Sequence, residues 1–390
     1  MKNNKNFEIF FIFIIIILIH SYIPTIKETI SNIGSADFNW QPAKCVFDGI
    51  NHYSSYLNRD DKCPIFNSQL GEYAQGLYIL IYPFTLLEWD AAQTSWMLLN
   101  IILLFLTTYY LCKKFKLEKF ESLFIFFVIF YVIVTRVHLI MGQHTILILT
   151  FMSLPFIWKS KITYIFSGIS YFKYNIGYAL FLFFIVSKNY KILLLSLIPC
   201  FSGWLIYCFI TETSILENLF QPFVLAIHNA PLGNTVNNPF LFSFIRDITF
   251  FSNYNYLIIF LLSILFNLYI LLKINKINDD LLKLSLICLL VLVSTPHWGH
   301  DNVLLIPFLI YSIKNYDLNL TLFRFNLFFS IYFLHLYKGI QLYLIKILSF
   351  LKFNSSLVEL ANPVMDYINI IILLIILLLN LNLYKKLINN

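Results

Sequence analysis

Asp37 is the residue around which chemistry could most simply be built. It stands in Ser35-Ala36-Asp37-Phe38-Asn39-Trp40, just after the first apolar segment. A carboxylate among aromatic side chains tends to hold its proton above the ordinary range and suits a general base. The same placement also fits a helix N-cap or a solvated loop acid. Lys173 lies in Tyr171-Phe172-Lys173-Tyr174-Asn175, between two half-length apolar runs. A cation there either faces a polar cavity and meets an anion, or snorkels to the headgroups. Gly142-Gln143-His144 separates two hydrophobic runs and reads as a turn with two hydrogen-bonding side chains. The densest polar cluster is Thr295-Pro296-His297-Trp298-Gly299-His300-Asp301-Asn302. Two histidines three apart can share a helical face, and Asp301 could orient one of them. A zinc site needs three or four ligands and hence a second cluster, so the pair reads as proton or phosphate-oxygen partners and no metal is expected. Cys45 and Cys63 are better explained as a possible disulfide. Arg246, in Phe244-Ile245-Arg246-Asp247, fits a contact with Asp247 or a headgroup as well as it fits an anion site.

These residues must be positioned by membrane helices. The 390-residue chain is 59% hydrophobic, 18% aromatic and only 12% charged, with mean hydropathy +0.76. A soluble chain is about a quarter charged, so this one cannot cover a water-facing surface. The apolar stretches are long and continuous rather than alternating, which predicts an all-α polytopic membrane protein and not a barrel. A disordered chain, a secreted disulfide scaffold and a nucleic-acid binder are excluded by the same composition. The net charge of +7 needs no acidic partner, because membrane proteins keep Lys and Arg in cytosolic loops.

The first apolar segment runs from Phe7 to about Pro24 and lacks a small-x-small cleavage site, so it reads as an uncleaved helix. Others follow at roughly 92–111, 122–141, 145–158, 162–172, 175–186, 192–210, 255–272, 284–295, 303–313, 318–337 and 365–384. With the N-terminus in the cytosol, alternation leaves sixteen Lys and Arg inside against eight outside. The expectation is about twelve spans or half-spans with both termini cytoplasmic and Asp37 at the outer face. Three outer segments stand out: 25–91, 211–254 and 338–364. Leu77–Leu87, broken by Pro83, and Leu342–Phe353 are too short to span and read as interfacial helices on the outer leaflet. Such loops suit a site that accepts something from lipid.

The order of these features resembles a known family. Asp37-Phe38 is followed by Gly49-Ile50-Asn51-His52-Tyr53, then Tyr73 and Pro83, then Gly142-Gln143. Lys173 comes next, then Asn237-Asn238-Pro239 ahead of Arg246, and last Pro296-His297-Trp298-Gly299-His300-Asp301. Over roughly residues 35–310 this is similar to glycosyltransferase family 87, the polyprenol-phosphate-sugar-dependent alpha-mannosyltransferases of the GT-C membrane fold. The resemblance implies a single integral membrane domain over 1–390, with a GT-C-like core at roughly 7–315 and C-terminal helices over 318–390. It implies a bacterial plasma-membrane enzyme with its site on the outer face. Asp37 would be the catalytic base. Lys173, Arg246, His297 and His300 would surround the donor phosphate, and Tyr73, Gln143, His144 and Asn238 would contact substrate. No cofactor is implied: a polyprenyl-phosphate sugar is the co-substrate, and a lipid or glycan is the acceptor. The family's usual Tyr-Pro-Pro is here Tyr73-Ala74-Gln75, which leaves the sugar and the acceptor open. A lipid flippase or transporter would share the helix number but calls for an internal repeat, and none is evident. A polysaccharide polymerase would share the lipid-linked sugar but typically carries Arg-rich outer loops.

Overall fold

The apolar runs become helices, as their length and continuity require. A computed structural model describes residues 23–29, 31, 35–66, 69, 71–229, 256–295, 299–315, 320–336 and 367–382. Among them the regular structure is helical throughout. A short helix α1 covers 23–29. Two short helices, α2 (Trp40–Phe47) and α3 (His52–Asn58), precede α4 (Gln75–Thr85) and the long α5 (Trp89–Lys114). Then come α6 (Lys119–Tyr131), α7 (Ile133–Met141), α8 (Thr145–Ile157), α9 (Lys161–Ser167), α10 (Tyr174–Val186) and α11 (Tyr190–Ile210). The remainder are α12 (Ile215–Asn229), α13 (Tyr256–Asn275), α14 (Asp280–Ser294), α15 (Ile306–Lys314), α16 (Leu320–Ile331) and α17 (Tyr367–Asn382).

Among the described residues, α5 and α11 are each long and apolar enough to cross a membrane. α6 and α7 qualify together as a third, bent by 51° at Val132. Most of the other apolar helices are half-spans of 10–17 residues. The bend has a local cause: Val132-Ile133-Val134-Thr135 is a β-branched run with lowered helix propensity, and Val132 leaves helical geometry (ψ 145°). The N-terminal apolar segment up to residue 22 and the run Leu342–Phe353 lie outside the described residues.

One expectation is corrected. Pro83 does not break the Leu77–Leu87 run; α4 passes through it and ends two residues later. A proline this close to a C-terminus removes a single hydrogen bond with few turns left to disturb. Nor is α4 bare on the leaflet: Leu77, Tyr78 and Ile81 are buried, and the helix packs against α2 and α11. Gly76 and Gly203 meet at that crossing, where a Cβ on Gly203 would stand 2.4 Å from the Gly76 Cα.

The centre of the bundle is α14, in which Leu284 to Ser294 are all buried. It packs against α13, α15, α10 and α8. Ser294 joins a buried polar cluster in which the Tyr178 hydroxyl donates to Asn267 Oδ1 (2.8 Å) and lies 2.7 Å from Ser294 Oγ. Tyr178→Phe is expected to lower stability by about 1 kcal/mol in a detergent unfolding titration, the usual scale for a polar contact between membrane helices. Around this core the exterior is apolar; on α11, Phe209 is 85% exposed and Leu194 67%. Such a surface is stable facing lipid, not water.

Lys159 and Asp280 pair at 3.0 Å, and Lys314 lies 5.6 Å from the Phe115 ring centre.

α12, in the stretch 211–254 that the charge pattern assigned to the outer side, was not anticipated. Its polarity is inverted. Asn218 and Gln221 are buried, while Leu216 (77%) and Phe220 (62%) point outward. The Gln221 amide donates to Ser54 Oγ (3.1 Å) and accepts from Asn51 Nδ2 (2.9 Å), fastening α12 to α3.

Candidate active site

The Asp37 loop is built onto the end of α7. The last carbonyls of a helix lack intrahelical partners. Here Ile140 and Met141 accept from the Ser35 and Asp37 backbone N–H groups at 2.6 and 2.9 Å. Gly142 ends α7 with φ +68°, and a Cβ there would lie 3.1 Å from Ser35 Cα and Phe38 Cβ. Glycine is therefore required twice over, by the left-handed turn and by the loop resting on it. Asn39, also left-handed, donates to the Asp37 carbonyl (2.7 Å) and accepts from the Gly71 N–H (3.2 Å). Phe38 stacks on Trp96 with ring centres 4.9 Å apart, and the Trp96 indole donates to the Gly142 carbonyl (2.9 Å). His144, fully buried, donates from Nε2 to the Phe38 carbonyl (3.2 Å), which fixes its tautomer. Tyr73 lies edge-on to His144 at 5.0 Å. The Cys45–Cys63 disulfide is formed, tying α2 to the segment after α3.

Opposite this loop is Lys173, between a 3-10 turn (Gly168–Phe172) and α10. It is buried, 4% exposed, and so does not snorkel. The anion it meets belongs to the protein: its Nζ lies 2.9 Å from Asp301 Oδ1, in a second 3-10 turn, Gly299–Leu305. It also donates to Thr145 Oγ1 (2.9 Å) and Gln143 Oε1 (3.3 Å). An ammonium has three donors, and all three are engaged. The Thr145 hydroxyl donates to Asp301, and the Gln143 amide nitrogen donates to the Asp37 carboxylate. An unbroken chain thus runs Asp301, Lys173, Gln143, Asp37.

Electrostatics follow from this layout. Burial pushes the half-buried Asp37 carboxyl up to about 6; Lys173 opposes this, Asp301 adds to it, and the Gln143 hydrogen bond opposes it. Asp37 is therefore a weaker acid than an ordinary carboxyl.

The structure brings together five of the residues singled out from sequence: Asp37, Tyr73, Gln143, His144 and Lys173. His300 is buried next to Asp301, with its ring 6.5 Å from that of His138. Asn238, Arg246 and His297 lie outside the described residues. Asp301 was read as a group that could orient a histidine; its Oδ1 also pairs with Lys173, a contact the sequence reading did not name. Thr145 was missed; a threonine opening a helix carries no signal beyond capping. No group of three or more His, Cys, Asp or Glu side chains arranged for a metal occurs among the described residues. Beside the site lies a cavity of about 290 Å³. Its lining includes Gln75, Tyr174, Tyr178, Trp204 and Phe223, on α4, α10, α11 and α12.

The described residues thus set a half-buried carboxylate beside a buried ion pair within an apolar helical bundle. The model of glycosyltransferase family 87 matches residues 73–296. That is more than half of the chain, which belongs to this family and is a membrane glycosyltransferase. No curated protein and no solved structure matches it. The matched stretch holds Tyr73, Gln143, His144, Lys173, Asn238 and Arg246; Asp37 precedes it and Asp301 follows it.

Proposed function

We propose that the protein moves a hexose, mannose by the family resemblance, from a polyprenyl-phosphate sugar to a lipid or glycan acceptor at the outer membrane face, inverting the anomeric centre. The observation that carries this reading is Asp37 itself. It is a half-buried carboxylate on a loop pinned to α7, oriented by Gln143 and poised to take a proton near neutral pH. Asp37 accepts the acceptor hydroxyl's proton as that oxygen bonds to the anomeric carbon and the bond to phosphate breaks. Polyprenyl phosphate leaves as an anion and needs no general acid. The transition state resembles an oxocarbenium ion, and cations around the phosphate stabilise the departing charge. We assign that contact to Arg246, His297 and His300, with Lys173 contributing its field from behind Gln143. Tyr73, His144 and Asn238 line the sugar and acceptor side. The aromatic cavity beside Tyr174 suits the isoprenoid tail.

The test is turnover of purified protein in lipid nanodiscs with a panel of radiolabelled polyprenyl-phosphate sugars. Label on an acceptor, or slow release to water, with the mannosyl donor and not the glucosyl donor is the expected result. Absence of turnover with every lipid-linked donor removes the reading. The pH profile gives a further check. Because the ionised form is the base, kcat/KM is expected to fall as pH drops through about 6. A profile flat down to pH 4.5 would exclude Asp37 as the titrating base.

A further inference from the structure

The Lys173–Asp301 pair has a use that phosphate binding does not explain. Lysine only donates and an ionised carboxylate only accepts. An amide between them can lie one way: oxygen toward Lys173, nitrogen toward Asp37. This is the orientation found, with Lys173 Nζ on Gln143 Oε1 and Gln143 Nε2 on the Asp37 carboxylate. The flipped amide would set N–H against ammonium and C=O against carboxylate. Asp301 in turn decides where Lys173 sits. It is 1% exposed and, with Thr145, takes two of the three ammonium donors. Without that carboxylate Lys173 would be a buried cation with Asp37 as a nearby anion, and direct pairing with Asp37 would block the base.

We infer that Asp301 and Lys173 are a positioning pair that locks the Gln143 amide and, through it, aims the Asp37 carboxylate while holding the lysine away from it. This rests on reading Asp37 as the base, and it assigns a role to Asp301, which lies beyond the stretch that the family match covers. Among the described residues, the charged and titratable groups around Asp37 are Lys173, Asp301 and Tyr73; His138, His144 and His300 stand around the ion pair. Removing the Asp301 charge leaves Lys173 acting on Asp37 unopposed, and removing the Lys173 charge does the reverse. The two changes must act in opposite directions.

Infrared pH titration in nanodiscs reads this without any substrate. Wild type minus Asp37→Asn isolates the Asp37 carboxyl band. In Asp301→Asn its midpoint is expected to fall by about one pH unit, and in Lys173→Met to rise by about one. The double variant, a neutral pair of similar shape, is expected to return toward wild type. Unmoved midpoints, or shifts of the same sign in both single variants, overturn the proposal. Should an ion-pair variant not fold, Gln143→Leu decides: it keeps the pair and removes only the bridge. The Asp37 band must then lose its hydrogen-bond shift, and an unchanged band overturns the proposal. Turnover of Asp37→Asn is scored separately. Full activity there removes the base, whereas lost activity with unmoved bands removes only the positioning pair.

Discussion

Asp37→Asn is expected to cut transfer by about 10³-fold, the usual scale for a lost general base, with the protein still folded. The substitution is nearly isosteric. An asparagine carbonyl can accept from the Gln143 amide in place of the carboxylate, and the backbone bonds from Ser35 and Asp37 to α7 are untouched. What is lost is the ability to take a proton. The loss should fall on kcat and leave donor KM little changed, because the proposed base works on the acceptor hydroxyl. The check is single-turnover kinetics beside a thermal unfolding curve. Retained kcat sinks the base assignment, and a collapsed unfolding curve shows that the residue holds the loop instead.

Gly203→Val should have the next largest effect, on the fold. Even a Cβ at this position would come within 2.4 Å of the Gly76 Cα, a backbone atom that no rotamer change can move. Gly76 cannot retreat, because a Cβ on its own other side would lie 2.3 Å from the Phe172 ring. The two helices must separate, at a cost of about 3 kcal/mol. The separation reaches the site, since the Ala74 N–H donates to the Phe172 carbonyl at 3.0 Å immediately before Lys173. Both stability and turnover should drop, whereas Phe209→Ala, on the outward face of the same helix, should change neither. Equal stability for the two variants would show that α4 can shift without penalty.

How far the sequence could be read depended on whether a feature is local. Apolar length and low charge made a helical membrane protein unavoidable. Asp37, Gln143 and Lys173 could be picked out because polar groups amid apolar runs are expensive and need a reason. What a single strand of text does not display is partnership across distance. Lys173 read equally as a cation meeting an anion and as one snorkelling to the headgroups; that its partner is Asp301, 128 positions away, depends on two 3-10 turns reaching the same point. The α6–α7 bend was in view as Val132-Ile133-Val134-Thr135, yet it looked like one continuous span because no proline or glycine marks it. Pro83 misled in the opposite way, since proline near a helix end is tolerated. The inverted polarity of α12 required knowing which of its faces meets α3.

That inverted helix bears on how a substrate arrives. Leu219, Pro222 and Phe223 of α12 line the aromatic cavity, and Leu219 and Phe223 are also exposed on the outside of the protein. The approach on this flank is therefore through oily surroundings. A lipid that enters here comes sideways, by diffusion within one leaflet. What governs its arrival is a crowding per unit area, its own mole fraction among its neighbours, and the volume of the surrounding solution does not enter.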